Sequence, residues 1–241
     1  YRKSRLNYYG VTALMARVYL CQENLTDALA CAQEVIDSKR FEFMNDSINN
    51  VYAYRNLSYI EKMARHEYVS SLYVYDLKEG RSDLFFKNLA SCECVIAEGR
   101  KASIYSGMGQ DLDIRSKNWF ETPAGSATEY VNKYMRGTQI PLLKLSEMYL
   151  IAAEASGDIR YLETLRANRG YATDPLPAGA NLQDEITKEY QKEFIAEGQL
   201  FYYYKRRNMA ILPITSTSMN RATYVLPVPD NELEFGNFKQ N

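Results

Sequence analysis

Leu6-Asn-Tyr-Tyr-Gly-Val-Thr-Ala-Leu-Met-Ala-Arg-Val-Tyr-Leu-Cys-Gln-Glu-Asn-Leu-Thr-Asp-Ala-Leu-Ala-Cys-Ala-Gln-Glu-Val35 reads as two helices joined by a tight turn. Apolar side chains recur at three- and four-residue steps through Leu6, Tyr9, Ala13, Ala16 and Leu20, the period of a helix with one packed face. Gln22-Glu23-Asn24-Leu25 is the turn, and Thr26 is the expected N-cap. Asp27 then lies in the first turn, where a carboxylate suits the positive end of the helix dipole. Ala28, Ala32 and Val35 form the stripe of the second helix. Small residues at Ala16 and Ala28 let the two axes cross closely, and the spacing matches a tetratricopeptide unit of about 34 residues.

Two later blocks repeat the pattern. One opens at Ile140-Pro141, with proline at the first helical position where its missing N–H is harmless. It runs through Leu142, Leu145, Tyr149, Ala152 and Ala155 to a stop and cap at Gly157-Asp158, then through Leu162, Leu165 and Arg169 to Gly170. The other runs from Asn181 through Leu182, Ile186, Tyr190 and Phe194 to Gly198, followed by a shorter helix through Phe201 and Lys205. The expected fold is therefore mainly α, with tetratricopeptide-like hairpins at 4–39, 140–170 and 181–208 forming a scaffold. A large irregular insertion with a few short strands interrupts it. The expected parts are a hairpin at 1–40, the insertion at 41–138, and two further hairpins with an extended C-terminal segment at 139–241. Tyr224-Val-Leu-Pro-Val-Pro-Asp-Asn-Glu232 is that segment, since each proline pushes the residue before it out of helical geometry.

In the insertion, Asn, Ser, Gly and Tyr replace the Ala, Leu and Glu of the helices. Glu67-Tyr-Val-Ser-Ser-Leu-Tyr-Val-Tyr75 is an expected strand, rich in aromatic and β-branched residues. Tyr105-Ser-Gly-Met-Gly-Gln-Asp111 and Thr122-Pro-Ala-Gly-Ser126 are expected loops. Long irregular segments on a rigid frame are where binding surfaces usually sit.

Composition excludes several functions. The 241 residues carry 29 Lys and Arg against 30 Asp and Glu, a net charge of −1 that gives no basic field for nucleic acid. With 46% hydrophobic and 24% charged residues the chain is an ordinary globular one. No stretch approaches the roughly 18 apolar residues of a membrane-spanning helix, and Tyr1-Arg-Lys-Ser-Arg5 starts polar with no apolar signal region behind it. Cys21 and Cys31 are expected as small core residues, and Cys92-x-Cys94 has the wrong spacing for a redox or zinc pair.

Catalytic chemistry finds little to work with. His66 is the single histidine, and no nucleophile motif accompanies it. Asp111-Leu-Asp113 could contribute to a calcium site but reads more simply as turn chemistry. Gly107-Met-Gly109 is a lone GxG without a nucleotide-binding frame. Glu185, Glu189 and Glu193 alternate with Lys188 and Lys192 as a solvated helix face, and Glu193 and Glu197 are expected to tie to Lys205 and Arg206. No catalytic residue, metal ligand or cofactor is assigned.

Aromatics remain. Tyrosine occurs 21 times, nine of them in the insertion, which also holds Trp119 and Phe120. A flat ring offers a stacking surface to the apolar face of a sugar, and a phenol or indole N–H can hydrogen-bond a hydroxyl. Trp119 stands in Arg115-Ser-Lys-Asn-Trp-Phe120 among polar groups and on no helical or strand stripe, which makes it a candidate for binding. The candidate ligand-binding residues are Trp119, Asn118, Phe120, Tyr105, Tyr75 and Tyr130.

Several segments together resemble a known family. Arg5-Leu-Asn-Tyr-Tyr-Gly-Val-Thr-Ala-Leu-Met-Ala-Arg-Val-Tyr-Leu20 and Ile140-Pro-Leu-Leu-Lys-Leu-Ser-Glu-Met-Tyr-Leu-Ile-Ala-Ala-Glu-Ala155 are similar to the SusD/RagB nutrient-binding lipoproteins of Bacteroidota. Leu165-Arg-Ala-Asn-Arg-Gly170 resembles the family's "LRARRG" turn. Glu193-Phe-Ile-Ala-Glu-Gly-Gln-Leu-Phe-Tyr-Tyr-Tyr-Lys-Arg206 resembles its "EFxxEGxRxxDLKR" helix, and Leu226-Pro-Val-Pro-Asp-Asn-Glu232 its terminal "LPIPxxE". The resemblance is to the C-terminal portion of the family and carries over no binding residue by position. It implies a non-catalytic, cell-surface oligosaccharide-binding protein that delivers nutrient to a SusC-like TonB-dependent outer-membrane transporter. Membrane association would be only through an N-terminal lipid anchor outside this chain. Two alternatives are a helical-repeat adaptor binding peptides in a concave groove and a carbohydrate-active enzyme, the latter weakened by the lack of an acid–base motif.

Overall fold

Two asparagines start the first hairpin. The Asn7 side chain accepts the Gly10 N–H and opens α1 (Tyr8–Cys21), and Asn24 accepts the Asp27 N–H and opens α2 (Leu25–Asp37). Asn24 replaces the expected Thr26 because its amide reaches two groups at once, also donating to the Asp27 carboxylate at 2.7 Å. Ala13, Ala16, Ala28 and Ala32 are fully buried, so small side chains do set the closeness of the two helices. Cys21 is exposed and Cys31 half-buried, contrary to a core role, because both fall off the alanine lines.

The computed structural model describes residues 2–43, 65–75, 95–96, 99–105, 112–122, 129–131, 133, 139–213, 215–225 and 227–236. They fall in two units, Tyr1–Ala196 and Glu197–Asn241, so residues 139–241, expected as one part, are shared between them. The expected loop with Gly107 and Gly109, and Cys92 and Cys94, lie outside the described residues.

After α2 come β1 (Tyr68–Tyr73), β2 (Val95–Ile96), α3 (Arg100–Ile104), α4 (Ile114–Asn118), β3 (Phe120–Glu121), β4 (Glu129–Val131) and β5 (Gln139–Lys144). The strands β2, β4 and β3 form a small antiparallel sheet in that order. β1 pairs antiparallel with β5, from Tyr68 opposite Lys144 to Tyr73 opposite Gln139, with register shifts on either side of Ser70. This corrects the helix start expected at Ile140. Pro141 lies in a strand opposite Ser71, and in a two-stranded ribbon each strand has a free edge where a missing N–H costs no ladder bond.

The second hairpin is α5 (Leu145–Ser156) and α6 (Ile159–Arg166), separated by Gly157 at φ +70° and capped by Asp158, which accepts the Arg160 N–H. α5 packs on α2, so α1, α2, α5 and α6 stack in succession as expected for repeated hairpins. Arg17 of α1 clamps this stack, donating to both Glu147 oxygens at 2.6 and 2.7 Å and to the Leu142 carbonyl at 2.7 Å. A π turn at Ala167–Tyr171 extends α6, and α7 (Leu182–Glu193) follows with Asn181 as its cap.

The second unit contains α8 (Gln199–Arg206), the ribbon β6 (Ile211–Leu212) with β7 (Thr217–Ser218), α9 (Arg221–Tyr224) and α10 (Asp230–Phe235). The expected hairpin at 181–208 crosses the boundary between the units. The extended segment expected at 224–232 is shorter than that: Tyr224 ends α9, Val225 is extended, and helix resumes at Asp230. No helix among the described residues is long and apolar enough to cross a membrane.

Candidate ligand-binding site

Four of the six rings and side chains proposed from the sequence are placed inside the protein. Trp119 is 2% exposed and Tyr105 0%, and Phe120 and Tyr130 are also buried. A sugar cannot stack on a face that protein already covers, so these four are packing residues. Asn118 is half-buried at the end of α4, and Tyr75, beyond the end of β1, is 82% exposed.

Trp119 is inside because the polar residues around it are inside as well. Its N–H closes α4 on the Arg115 carbonyl at 2.9 Å, and the Lys133 ammonium sits 3.7 Å from its ring centroid. Lys133 in turn donates to the carbonyls of Glu193 and Ile195. Tyr105 donates its hydroxyl to the Lys192 carbonyl at 3.1 Å and meets Phe120 edge to face. Burial, the leading influence on Tyr105, pushes its phenol well above the usual tyrosine range.

At the centre is a buried charge network. The Glu193 carboxylate receives Arg115 Nη1, Arg169 Nε and Nη2, and Lys144 Nζ, each at 3.1 Å, and Ser146 Oγ at 2.9 Å. Arg169 also holds both Glu67 oxygens at 2.6 Å. Arg115 holds Asp113 bidentately at 2.7 and 3.0 Å and reaches Glu189 at 2.8 Å, while Lys192 donates to Glu189 at 3.0 Å. The residues come from the turn before β1, the N-terminus of α4, β5, the start of α5, the π turn and α7. The network thus fastens pieces of the insertion to the helical frame.

These acids are corrections to the sequence reading. Glu189 and Glu193 are not on a solvated face: both are buried, and Glu193 binds Arg115 and Arg169. Glu185 with Lys188 is the solvated pair, at 2.6 Å. A usable signal was present: Glu189 and Glu193 fall at the i+3 and i+7 positions of the stripe begun by Ile186. Asp113 caps α4 through the Arg115 N–H and has both oxygens engaged by Arg115, while Asp111 lies outside the described residues. Among the described residues no three His, Cys, Asp or Glu side chains are grouped to hold a metal ion.

Electrostatics match the geometry. Burial pushes the Glu189 carboxyl up, but Arg115 and Lys192 outweigh it and bring it down to about 2. For Glu193, burial is likewise overcome, by Arg169, Lys144, Arg115 and Lys133, which hold it well below the usual carboxylate range. An acid catalyst needs the opposite, a carboxyl kept protonated near neutrality.

Large apolar side chains face solvent along α1, from Tyr8 to Val18, and at the end of β1. The first four residues of β1 are buried and its last two are not, with Leu72 50% and Tyr73 58% exposed, so the β1–β5 ribbon leaves the core at Leu72.

No protein-family model matches this sequence, and no curated protein matches it in sequence. Solved structures do. A SusD superfamily protein from Bacteroides thetaiotaomicron has a TM-score of 0.72 at 21% identity, covering 98% of this chain and 60% of its own. Surface glycan-binding protein A from the same organism, in complex with laminarihexaose, has a TM-score of 0.72 at 15% identity, covering 100% of this chain and 65% of its own. A laminarin-binding SusD-like protein has a TM-score of 0.72 at 16% identity, with 100% and 63% covered. This chain therefore spans about three-fifths of the length of such structures, and its fold is similar to theirs over that span.

Proposed function

We propose that the protein captures oligosaccharide at the cell surface without cleaving it and hands it to a SusC-like TonB-dependent transporter in the outer membrane. The carrying observation is the fold, matched along the whole chain by proteins that bind laminarin or hold laminarihexaose. The buried network supports a non-catalytic role. Its four acids, Glu67, Asp113, Glu189 and Glu193, are all out of solvent and paired with guanidinium or ammonium groups. In this reading a lipid anchor outside these residues holds the protein at the membrane, and the helical stack faces the transporter. The test is a panel of immobilised oligosaccharides with a peptide library beside it. Retention on at least one oligosaccharide is expected, whereas retention on peptides alone would favour an adaptor.

A further inference from the structure

We infer that the protruding end of the β1–β5 ribbon is a sugar-binding platform, with Tyr73 and Tyr75 as the stacking residues for an uncharged oligosaccharide. The inference rests on the glycan-binding reading above and names the site for it.

The burial pattern of β1 comes first. Tyr68, Val69, Ser70 and Ser71 are buried, then Leu72 and Tyr73 open to solvent and Tyr75 is 82% exposed. A strand that ends in three large exposed side chains forgoes on the order of 1.5–3 kcal/mol of burial at each of the apolar ones. Leu72 and Tyr73 point to opposite faces of the ribbon, so Tyr73, with Tyr75 just beyond the strand, is what the tip offers for contact with something else.

The chemistry of the tip narrows the occupant. Tyr73 stands directly opposite Gln139, and paired residues of an antiparallel ribbon project on the same side. The Gln139 amide donates to Ser4 Oγ at 3.0 Å, so an amide and a hydroxyl lie beside the Tyr73 position. Lys3, on the stretch before α1, donates to the carbonyls of Arg65 and His66 at 3.0 and 3.1 Å. Rings, phenols, a carboxamide and a serine hydroxyl suit a ligand with flat apolar faces and many hydroxyls and no net charge. Tyr75 stands two residues beyond Tyr73, past the end of β1, and two residues span at most about 7 Å of chain, close enough for both rings to engage one oligosaccharide. None of the six side chains singled out from the sequence, Tyr75 excepted, shares this exposure.

Calorimetric titration of the whole 241-residue protein with neutral hexasaccharides, laminarihexaose among them, tests the assignment. The variants are Tyr73→Ala with Tyr75→Ala, the conservative Tyr73→Phe with Tyr75→Phe, and Tyr8→Ala as a control exposed tyrosine on α1. Because both residues are exposed, circular dichroism is expected to be unchanged. The alanine pair is expected to weaken binding at least about tenfold, the value of one or two ring contacts, with the phenylalanine pair between it and wild type and Tyr8→Ala equal to wild type. If wild type binds and the alanine pair binds equally well, the platform is wrong and the glycan-binding reading stands. If wild type binds no hexasaccharide at all, both fall.

Discussion

Arg169 bridges two carboxylates that are far apart in the chain, holding both oxygens of Glu67 at 2.6 Å while donating to Glu193 at 3.1 Å. Glu67 precedes β1 in the insertion and Glu193 ends α7, so one guanidinium joins the irregular part of the protein to its helical frame. Breaking one side of such a pair leaves a charge buried without its partner, and that is costlier than losing the pair's net attraction. Glu193→Gln is expected to destabilise the protein by about 3–5 kcal/mol, read from urea denaturation. A change under about 1 kcal/mol would show that Lys144, Arg115 and Arg169 find other partners.

Acid should act through the same residues. The Glu189 carboxyl is held at about 2, below its ordinary range of about 4.3, so its contribution to stability is fully present above that range and is lost as pH falls towards 2. Urea midpoints measured from pH 5 to pH 2 should therefore fall steadily, and Glu189→Gln should flatten the slope while lowering the midpoint at pH 5. An unchanged slope would mean that Glu189 carries no such shift.

Gly170 sits where no side chain fits. Its φ is +107°, and an added Cβ would stand 2.2 Å from the Leu112 carbonyl oxygen, part of the backbone that leads into Asp113 and α4. Gly170→Ala should destabilise by at least about 1–3 kcal/mol from the backbone conformation alone, with the collision adding to it. Thermal denaturation reads this directly, and Gly179→Ala is the control, because its φ is also positive but nothing lies within 4 Å.

Trp119, the one tryptophan, reports on the core and not on a ligand. Native emission should be blue-shifted and poorly quenched by acrylamide, becoming red-shifted and accessible on unfolding. Strong quenching of the native protein would contradict the burial of the ring under Lys133.

The helical frame was legible because its determinants are local. Ala13, Ala16, Ala28 and Ala32 mark the packed lines, Gly157 and Asp158 the turn, and Asn181 the start of α7, each readable within a few residues. Pro141 misled because a proline suits both a helix start and a ribbon edge, and only the pairing with Ser71 decides between them. The charge network was hidden for a stronger reason. Glu189 and Glu193 spaced among lysines look the same on a wet face as on a buried one, and their partners Arg115 and Arg169 are distant in sequence. Trp119 was misread through the same gap, since Arg115 and Ser116 beside it are polar and yet buried. Tyr75 is the candidate whose exposure matches the sequence reading, and Tyr73 beside it was hidden in the strand pattern.

The most direct test is to incubate the protein with the hexasaccharide panel and follow both retention and chain length by mass spectrometry. The account predicts saturable retention of at least one hexasaccharide, recovered intact. No retention, or the release of shorter fragments, would contradict it.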